Sequence, residues 1–199
     1  FNASDDAKLA LSSESIYEDV SEGKLITIGE QLLLSTGLVY SIDTTLSNRK
    51  LTDGKLATTA SSSDTNLVNI TALDKTADGK VDILISLGDN AREVSAVYFD
   101  TAFLAALNSI NAKPDSVNVQ YSTDGSTFTS AAYAMSAVAS KRTLALGAGT
   151  AGMTRYIENV GATNVKAIKI SIDLSDATES NTLYLDEIYV VGKATGTSG

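Results

Sequence analysis

The sequence predicts an all-β protein whose strands form an antiparallel β-sandwich. Apolar residues recur at every second position in several short segments, and turns such as Asp-Gly separate these segments at regular spacing. No stretch has the sustained 3.6-residue periodicity of a long amphipathic helix. We therefore expect about eight to ten short strands, with minor helical turns between them.

The first half of the chain contains five segments with strand character. They are residues 24–28, an interrupted apolar run at 32–40, and then 67–73, 81–87 and 94–99. The run at 81–87 is apolar at every odd position, which indicates one buried face. The run at 94–99 is β-branched and aromatic, as is typical of a buried strand.

The middle of the chain is less regular. Residues 101–110 fit either a helical turn or a loop that crosses the sandwich, and the sole proline, Pro114, ends them. Residues 116–122 alternate cleanly, and Asp124-Gly125 is a strong hairpin signal that predicts a return strand at 127–129.

The last third begins with small residues and ends with two clear strands. Residues 136–153 are rich in Gly and Ala, which predicts a loop that leads into a strand from Arg155. Residues 165–174 alternate, and residues 182–191 form the last strand. Its apolar residues lie at odd positions (183 and 185) before Asp186-Glu187 and at even positions (188 and 190) after them, which predicts a β-bulge there.

The predicted domain organisation has three parts. Residues 1–27 are polar and acidic and are expected to be a leader or a peripheral segment, residues 28–192 form the sandwich, and residues 193–199 are a linker. Both ends are typical of a piece of a larger polypeptide with further modules attached.

Composition excludes several classes of function. The chain has 15 basic and 24 acidic residues among 199, a net charge of −9, which disfavours nucleic acid and anionic membrane as partners. No apolar run approaches the roughly 20 residues of a membrane span. The absence of histidine and cysteine removes the usual general base, the thiolate nucleophile and the usual transition-metal ligands. A carboxylate pair is the remaining catalytic alternative, as in glycoside hydrolysis, but no pair at a convincing site is visible, so we do not expect an enzyme.

Five segments, taken in order, resemble a known family. These are Lys50-Leu51-Thr52-Asp53-Gly54, the strand Asp82 to Gly88, the segment Pro114 to Gly125, Ile168-Lys169-Ile170, and Leu185 to Val190. Together they resemble the galactose-binding-like, or discoidin-type, jelly-roll domain of many carbohydrate-binding modules. The resemblance covers roughly residues 30–192 and implies a jelly-roll sandwich.

The resemblance also implies a structural calcium ion between the first turn and the last strand. The implied ligands are oxygen atoms of Lys50, Asp53, Lys55, Thr58, Asp186 and Glu187. Asp53 and Glu187 would supply side-chain oxygens, Thr58 its hydroxyl or carbonyl, and the other residues backbone carbonyls. Calcium prefers six to eight such oxygens in an irregular turn. The alternative is that Asp53 caps its own turn and that Glu187 pairs with a nearby basic residue.

Sugar-binding sites usually combine an aromatic side chain with polar groups on loops at one end of a sandwich. The candidates near predicted loops are the aromatic residues Tyr40, Phe103, Tyr133 and Tyr156, together with Arg142 in the Gly/Ala-rich loop. Packing for the aromatic residues, and simple solvation for the arginine, are the alternatives.

The predicted function is that of a non-catalytic carbohydrate-binding module of an extracellular or cell-surface bacterial protein. It would hold attached modules near a polysaccharide or a surface glycan, acting as a monomer. The alternative is a structural or adhesion sandwich that has a protein partner or no small ligand. The lack of tryptophan and the low aromatic content of 6% favour this alternative.

Overall fold

The computed structural model of the chain describes residues 16–19, 24–27, 32–34, 40–42, 45–46, 51–61, 63–71, 79–88, 92–102, 114, 116–128, 131–145, 147–174 and 182–194. Strands, turns and irregular segments make up this part of the chain, and none of it is helical. It accordingly contains no helix that could cross a membrane.

One sheet has six antiparallel strands in the order β10-β9-β14-β7-β4-β5. In chain order they are β4 (Tyr40–Ile42), β5 (Thr45–Leu46), β7 (Lys80–Ser86), β9 (Ser116–Ser122), β10 (Tyr133–Ala134) and β14 (Ala167–Asp173). The central strand β14 pairs along its whole length with β7 on one side and with β9 on the other.

The second sheet has seven antiparallel strands, with β11-β12-β8-β15-β3 as its main path. In chain order they are β3 (Leu32–Leu33), β6 (Val68–Thr71), β8 (Arg92–Ala102), β11 (Ser136–Ala145), β12 (Thr150–Glu158), β13 (Ala162–Val165) and β15 (Thr182–Ala194). The short strand β13 pairs with β8, and β6 pairs with β15.

The core lies between the two sheets, and the alternating residues of both sheets fill it. Val81, Ile83 and Ile85 of β7 pack there with apolar residues of β9, β14, β8 and β15 in one buried cluster. This two-sheet arrangement confirms the predicted antiparallel β-sandwich.

The strands β1 (Ile16–Asp19) and β2 (Lys24–Thr27) pair with each other as a separate two-stranded sheet. They lie in the segment predicted as a leader, where residues 24–28 were expected to form a strand. At the other end, β15 continues to Ala194, so Lys193 and Ala194 pair with Glu93 and Arg92 instead of starting the predicted linker.

Two local predictions were wrong. The Gly/Ala-rich segment predicted as a loop contains β11 and the first half of β12, which form an antiparallel pair. Alternation is missing there because most residues of the edge strand β11 are exposed on both faces.

The second wrong prediction concerns the strand after the Asp124-Gly125 turn, because no strand begins at Thr127. The Asp124 carboxylate instead accepts hydrogen bonds from the N–H groups of Ser126 and Thr127 (2.8 and 2.7 Å). The return strand begins at Tyr133. Thr101 and Ala102, the first residues of the segment predicted as a helical turn or a crossing loop, instead belong to β8, and residues 103–110 lie outside the described residues.

Gly192 is required by the close approach of β15 to β8. A Cβ atom built there would lie 1.8 Å from the backbone oxygen of Glu93. The register of the two strands shifts at this point, since Val191 pairs with Ala96 and Gly192 with Val94. The glycine therefore accommodates a bulge in β8.

We predict that Gly192→Ala destabilises the fold by roughly 1–3 kcal/mol or more, because backbone must move to accommodate the methyl group. Urea unfolding followed by circular dichroism measures this change. Gly152→Ala is the matched control in β12, where a Cβ atom meets nothing within 4 Å. Equal stability of the two variants would contradict the prediction.

Candidate functional site

The seven-stranded sheet carries a second buried layer on the face that points away from the core. The segment that follows Leu51 crosses this face, and the Leu51 carbonyl accepts the N–H of Ile188 (2.8 Å). Leu56 packs there with Tyr98 and Tyr189, while Ala57 and Leu67 pack with Tyr184. The side chains beneath this segment are therefore shielded from water although they lie outside the core.

The ion pair between Asp186 and Arg142 binds both the N–H and the carbonyl of Ala57. Its N–H donates to the carboxylate of Asp186 (2.9 Å), and its carbonyl accepts from the guanidinium of Arg142 (3.0 Å). Arg142 and Asp186 also contact each other directly, and both are buried. Burial raises the pKa of Asp186 to about 7, although Arg142 and the Ala57 N–H favour its ionised form.

Asp100 links this ion pair to a second arginine. Its carboxylate accepts from Arg142 (3.1 Å) and, at two atoms, from Arg155 (2.8 and 3.0 Å). The Arg155 guanidinium lies over the ring of Tyr98, 4.5 Å from its centroid, and Tyr98 stacks on Tyr189 at 4.3 Å. The cluster is thus packed by aromatic rings as well as by charge.

The predicted bulge in the last strand is confirmed. Leu185 pairs with Thr101 and Ile188 with Phe99, so Asp186 and Glu187 together oppose Asp100. Both residues are 0% exposed. The bulge turns two consecutive carboxylates to the same buried face and keeps the flanking leucine and isoleucine in the core.

Glu187 is the member of the cluster whose charge is not balanced. One carboxylate oxygen accepts the Gly54 N–H (2.5 Å), and the other, Oε1, is buried with no hydrogen-bond partner among the described residues. Burial and the nearby carboxylates of Asp53 and Asp186 raise the pKa of Glu187 to about 9. At neutral pH this site therefore retains a proton or requires a cation.

The residues predicted to bind calcium fit that ion in part. Asp53 and Glu187 do come together, and a buried carboxylate oxygen without a partner is suited to a cation. Asp53 also caps its own turn through the Lys55 N–H (2.9 Å), as the alternative expected. The described residues contain no group of three or more acidic side chains that could hold a metal. Calcium here would need backbone or hydroxyl oxygens as well.

The other predicted metal ligands have different surroundings. Thr58 is exposed, its N–H donates to Asp64 (3.0 Å), and its carbonyl accepts the Ala145 N–H (2.8 Å), so its backbone is bound elsewhere. The Asp186 carboxylate already binds the Ala57 N–H and Arg142. Asp186 would therefore bind calcium only through its backbone carbonyl, which is the ligand that was predicted. Lys50 lies outside the described residues.

Two of the predicted sugar-binding residues are buried, and we correct these predictions. Arg142 is 3% exposed and directs its guanidinium to Asp100, Asp186 and Ala57. Tyr156 is 7% exposed and stacks on Phe99 in the core, with a ring-centroid distance of 5.3 Å. Neither side chain presents a surface to a ligand.

Tyr133 is the predicted residue that remains at the surface. It is half-buried on β10 and stacks with the half-buried Tyr121 of β9, with a ring-centroid distance of 6.5 Å. Both rings lie at the margin of the core where the six-stranded sheet ends. For Tyr40 only the backbone is described, in β4, and Phe103 lies outside the described residues.

No protein-family model and no curated protein matches the sequence. Solved structures are similar in fold. The lectin domain of lectinolysin complexed with Lewis b antigen is 13% identical, with a TM-score of 0.49, and the match covers 80% of this chain and 95% of that one. A Streptococcus pneumoniae fucose-binding module is 14% identical, with a TM-score of 0.46 and coverage of 80% and 96%. The GH31 CBM32-2 module bound to GalNAc is 18% identical, with a TM-score of 0.39 and coverage of 77% and 95%.

By their names, these structures are a lectin domain, a fucose-binding module and a carbohydrate-binding module. The likeness is one of fold, and the glycans named with those structures belong to those proteins.

Sequence reasoning missed Asp100 and the buried role of Arg155. A signal was present, because Asp100 follows directly on the apolar run of β8. A charged residue inside a buried strand requires an opposite charge. Arg142 and Arg155 are the arginines that supply it.

We predict that Arg142→Met destabilises the protein by about 3–5 kcal/mol, because it leaves buried carboxylates without their counter-charge. Chemical denaturation measures the loss, and Asp186→Asn tests the same pair from the other side. Lys141→Met, at the exposed neighbouring position, should change stability by no more than about 0.5 kcal/mol. Similar values for the two methionine variants would show that the ion pair does not stabilise the fold.

Proposed function

We propose that this chain is a non-catalytic glycan-binding module that contacts sugar through the tyrosine pair Tyr121 and Tyr133. The observation that carries the proposal is a stacked, half-exposed aromatic pair at the margin of a rigid sandwich. Tyrosine offers an apolar ring to the apolar face of a sugar and a hydroxyl to its polar rim.

The surroundings of the pair support this role. β9 and β10 are joined by a loop whose Asp124-Gly125 turn is fixed by hydrogen bonds from Ser126 and Thr127 to Asp124. These bonds favour the ionised carboxylate and lower the pKa of Asp124, so the turn keeps its charged acceptor at more acidic pH than an ordinary aspartate would allow. A turn fixed in this way beside an aromatic pair reduces the entropy lost on binding.

The acidic residues of the described site support a non-catalytic role. Without histidine or cysteine, catalysis would rest on carboxylates, as in glycoside hydrolysis. Asp100, Asp186 and Glu187 are all 0% exposed under the segment that follows Leu51. A carboxylate enclosed in this way cannot reach a substrate.

We further propose that calcium binds beside Glu187 and holds the turn at Asp53 against the last strand. The support is the buried Glu187 Oε1 atom and the adjacent charge of Asp53. Calcium would supply the positive charge that the cluster lacks. Its role would be structural, within a larger extracellular or cell-surface protein that the module tethers to a polysaccharide.

A structural or adhesion module is the second candidate function. It is favoured by the edge strand β11, which is long, carries mostly small residues and exposes Val138 to 44%. The part of this edge before Ala145, whose backbone is bonded to Thr58 and Ala60, can pair with a strand of another protein.

We predict that Tyr133→Ala lowers glycan affinity at least about tenfold, equal to about 1.4 kcal/mol, because the aromatic contact is lost. A glycan array with galactose, N-acetylgalactosamine and fucose termini selects the ligand, and calorimetry measures affinity. Tyr133→Phe should retain most of it, and Val138→Ala all of it. If the wild type binds no glycan on the array, this result would favour the adhesion role.

We predict that calcium raises the melting temperature by roughly 5 °C or more over that in a chelator, because it binds only the folded state. Without metal, the folded pKa of Glu187, about 9, lies above its ordinary value of 4.5. The folded state then holds the proton more tightly, so stability falls as pH rises through this window.

The variant Glu187→Gln tests this prediction, because its effect on the melting temperature should be opposite in chelator and in calcium. At pH 8 the variant should melt higher than wild type in chelator, since wild-type Glu187 must take up a proton when the protein folds and glutamine need not. The variant should also lose the response to calcium. Glu158→Gln, a half-exposed glutamate of β12, is the control. An equal calcium response in wild type and Glu187→Gln would contradict the proposed site.

A further inference from the structure

Among the described residues, the outer face of the six-stranded sheet has no cover comparable to that of the other sheet. Along its three long strands, half-exposed side chains alternate with buried core residues. The half-exposed residues are Lys80, Asp82 and Leu84 of β7, Asn118 and Gln120 of β9, and Lys169, Ser171 and Asp173 of β14.

Strand register arranges these side chains in cross-strand rows. Lys169 lies between Leu84 and Gln120, and Ser171 lies between Asp82 and Asn118. Neighbouring strands are roughly 4.8 Å apart, and residues on one face of a strand recur at about 6.6–6.8 Å. The face is therefore a grid of mostly polar side chains that extends over three strands.

The chemistry of the grid suits hydroxyl groups. The amides of Asn118 and Gln120 each donate and accept hydrogen bonds, as sugar hydroxyls do. The Ser171 hydroxyl donates a hydrogen bond to the Asp82 carboxylate (2.7 Å). This bond fixes the position of one acceptor in the row that contains Asp82, Ser171 and Asn118. These are the polar groups that an extended, hydroxyl-rich chain would meet along the sheet.

An aromatic ring lies at one end of the face. The Lys169 ammonium is 5.1 Å from the centroid of the Phe128 ring, which places this half-exposed ring beside the row of Gln120. Cation–π contact holds the lysine chain and the ring together. The face thus combines amide groups with an aromatic margin.

The charges on the face cancel. Lys80 and Lys169 are matched by Asp82 and Asp173, so this surface is locally neutral although the whole chain carries −9. A polyanion such as nucleic acid would need a basic excess, which this face lacks. Charge complementarity favours an uncharged partner.

We propose that this open face binds an extended, uncharged polysaccharide chain through Asn118, Gln120 and Phe128. The proposal rests on the proposed glycan-binding function and adds a second site to it. The two sites share β9 but use opposite sides of it, because Tyr121 lies on the core side and Gln120 on the outer side. A single sugar would occupy the tyrosine site, whereas a polymer would also lie along the sheet.

The test compares short and long ligands in Asn118→Ala/Gln120→Ala and in Tyr133→Ala. Affinity electrophoresis measures retardation by the neutral polysaccharides xyloglucan, galactomannan and dextran, with the anionic polymer polygalacturonate for comparison. Calorimetry measures binding of galactose, N-acetylgalactosamine and fucose. Thr143→Ala, at an exposed position of β11, is the control, and thermal melts confirm that each variant is folded.

We expect the double variant to lose at least about tenfold in affinity for a neutral polysaccharide and to bind the single sugars as wild type does. Polymer binding that is unchanged in the double variant would overturn the second site and leave the tyrosine site intact. Binding of the single sugars without any retarding polymer, or retardation by polygalacturonate alone, would overturn it as well. Failure of the wild type with every sugar and polymer would remove the proposed function itself.

Discussion

Three carboxylates and two guanidinium groups share a buried space on the seven-stranded sheet, and the surrounding structure depends on how their charges are balanced. Asp100 and Asp186 are satisfied by Arg142 and Arg155. Glu187 has no such partner among the described residues. Because an unpaired buried charge is costly, the cluster selects either a proton or a cation at that position.

The same cluster explains why the two outer faces of the sandwich differ. Asp186 and Arg142 bind both sides of the Ala57 peptide, which fixes the preceding turn across β8 and β15. That face is closed and serves stability. The six-stranded sheet has no comparable cover in the described part of the chain, so its side chains meet solvent, and this is the surface on which we propose that a polysaccharide binds.

Sequence patterns predicted the strands that bury one or both faces, including the continuously buried β8 and β15, and missed β11, which is mostly exposed on both faces. β7, β9 and β14 bury every second residue, and their positions were predicted closely. β11 is an exposed edge of small residues, so the pattern resembled a loop. The bulge at Asp186 was visible as a change of parity, whereas the pairing of Arg142 with Asp100, 42 residues apart in sequence, depends on tertiary contacts that no local pattern encodes.

The positions of Glu187 and Tyr133 separate the proposed calcium site from the proposed sugar-binding site. Glu187 belongs to the seven-stranded sheet and contacts the turn at Gly54, whereas Tyr133 belongs to the six-stranded sheet and contacts Tyr121. A cation beside Glu187 would be enclosed by protein and could not itself touch a sugar at the tyrosine pair. Its effect on binding would therefore be indirect: it would keep the sandwich folded, while the affinity of the folded module would be set by residues of β9 and β10.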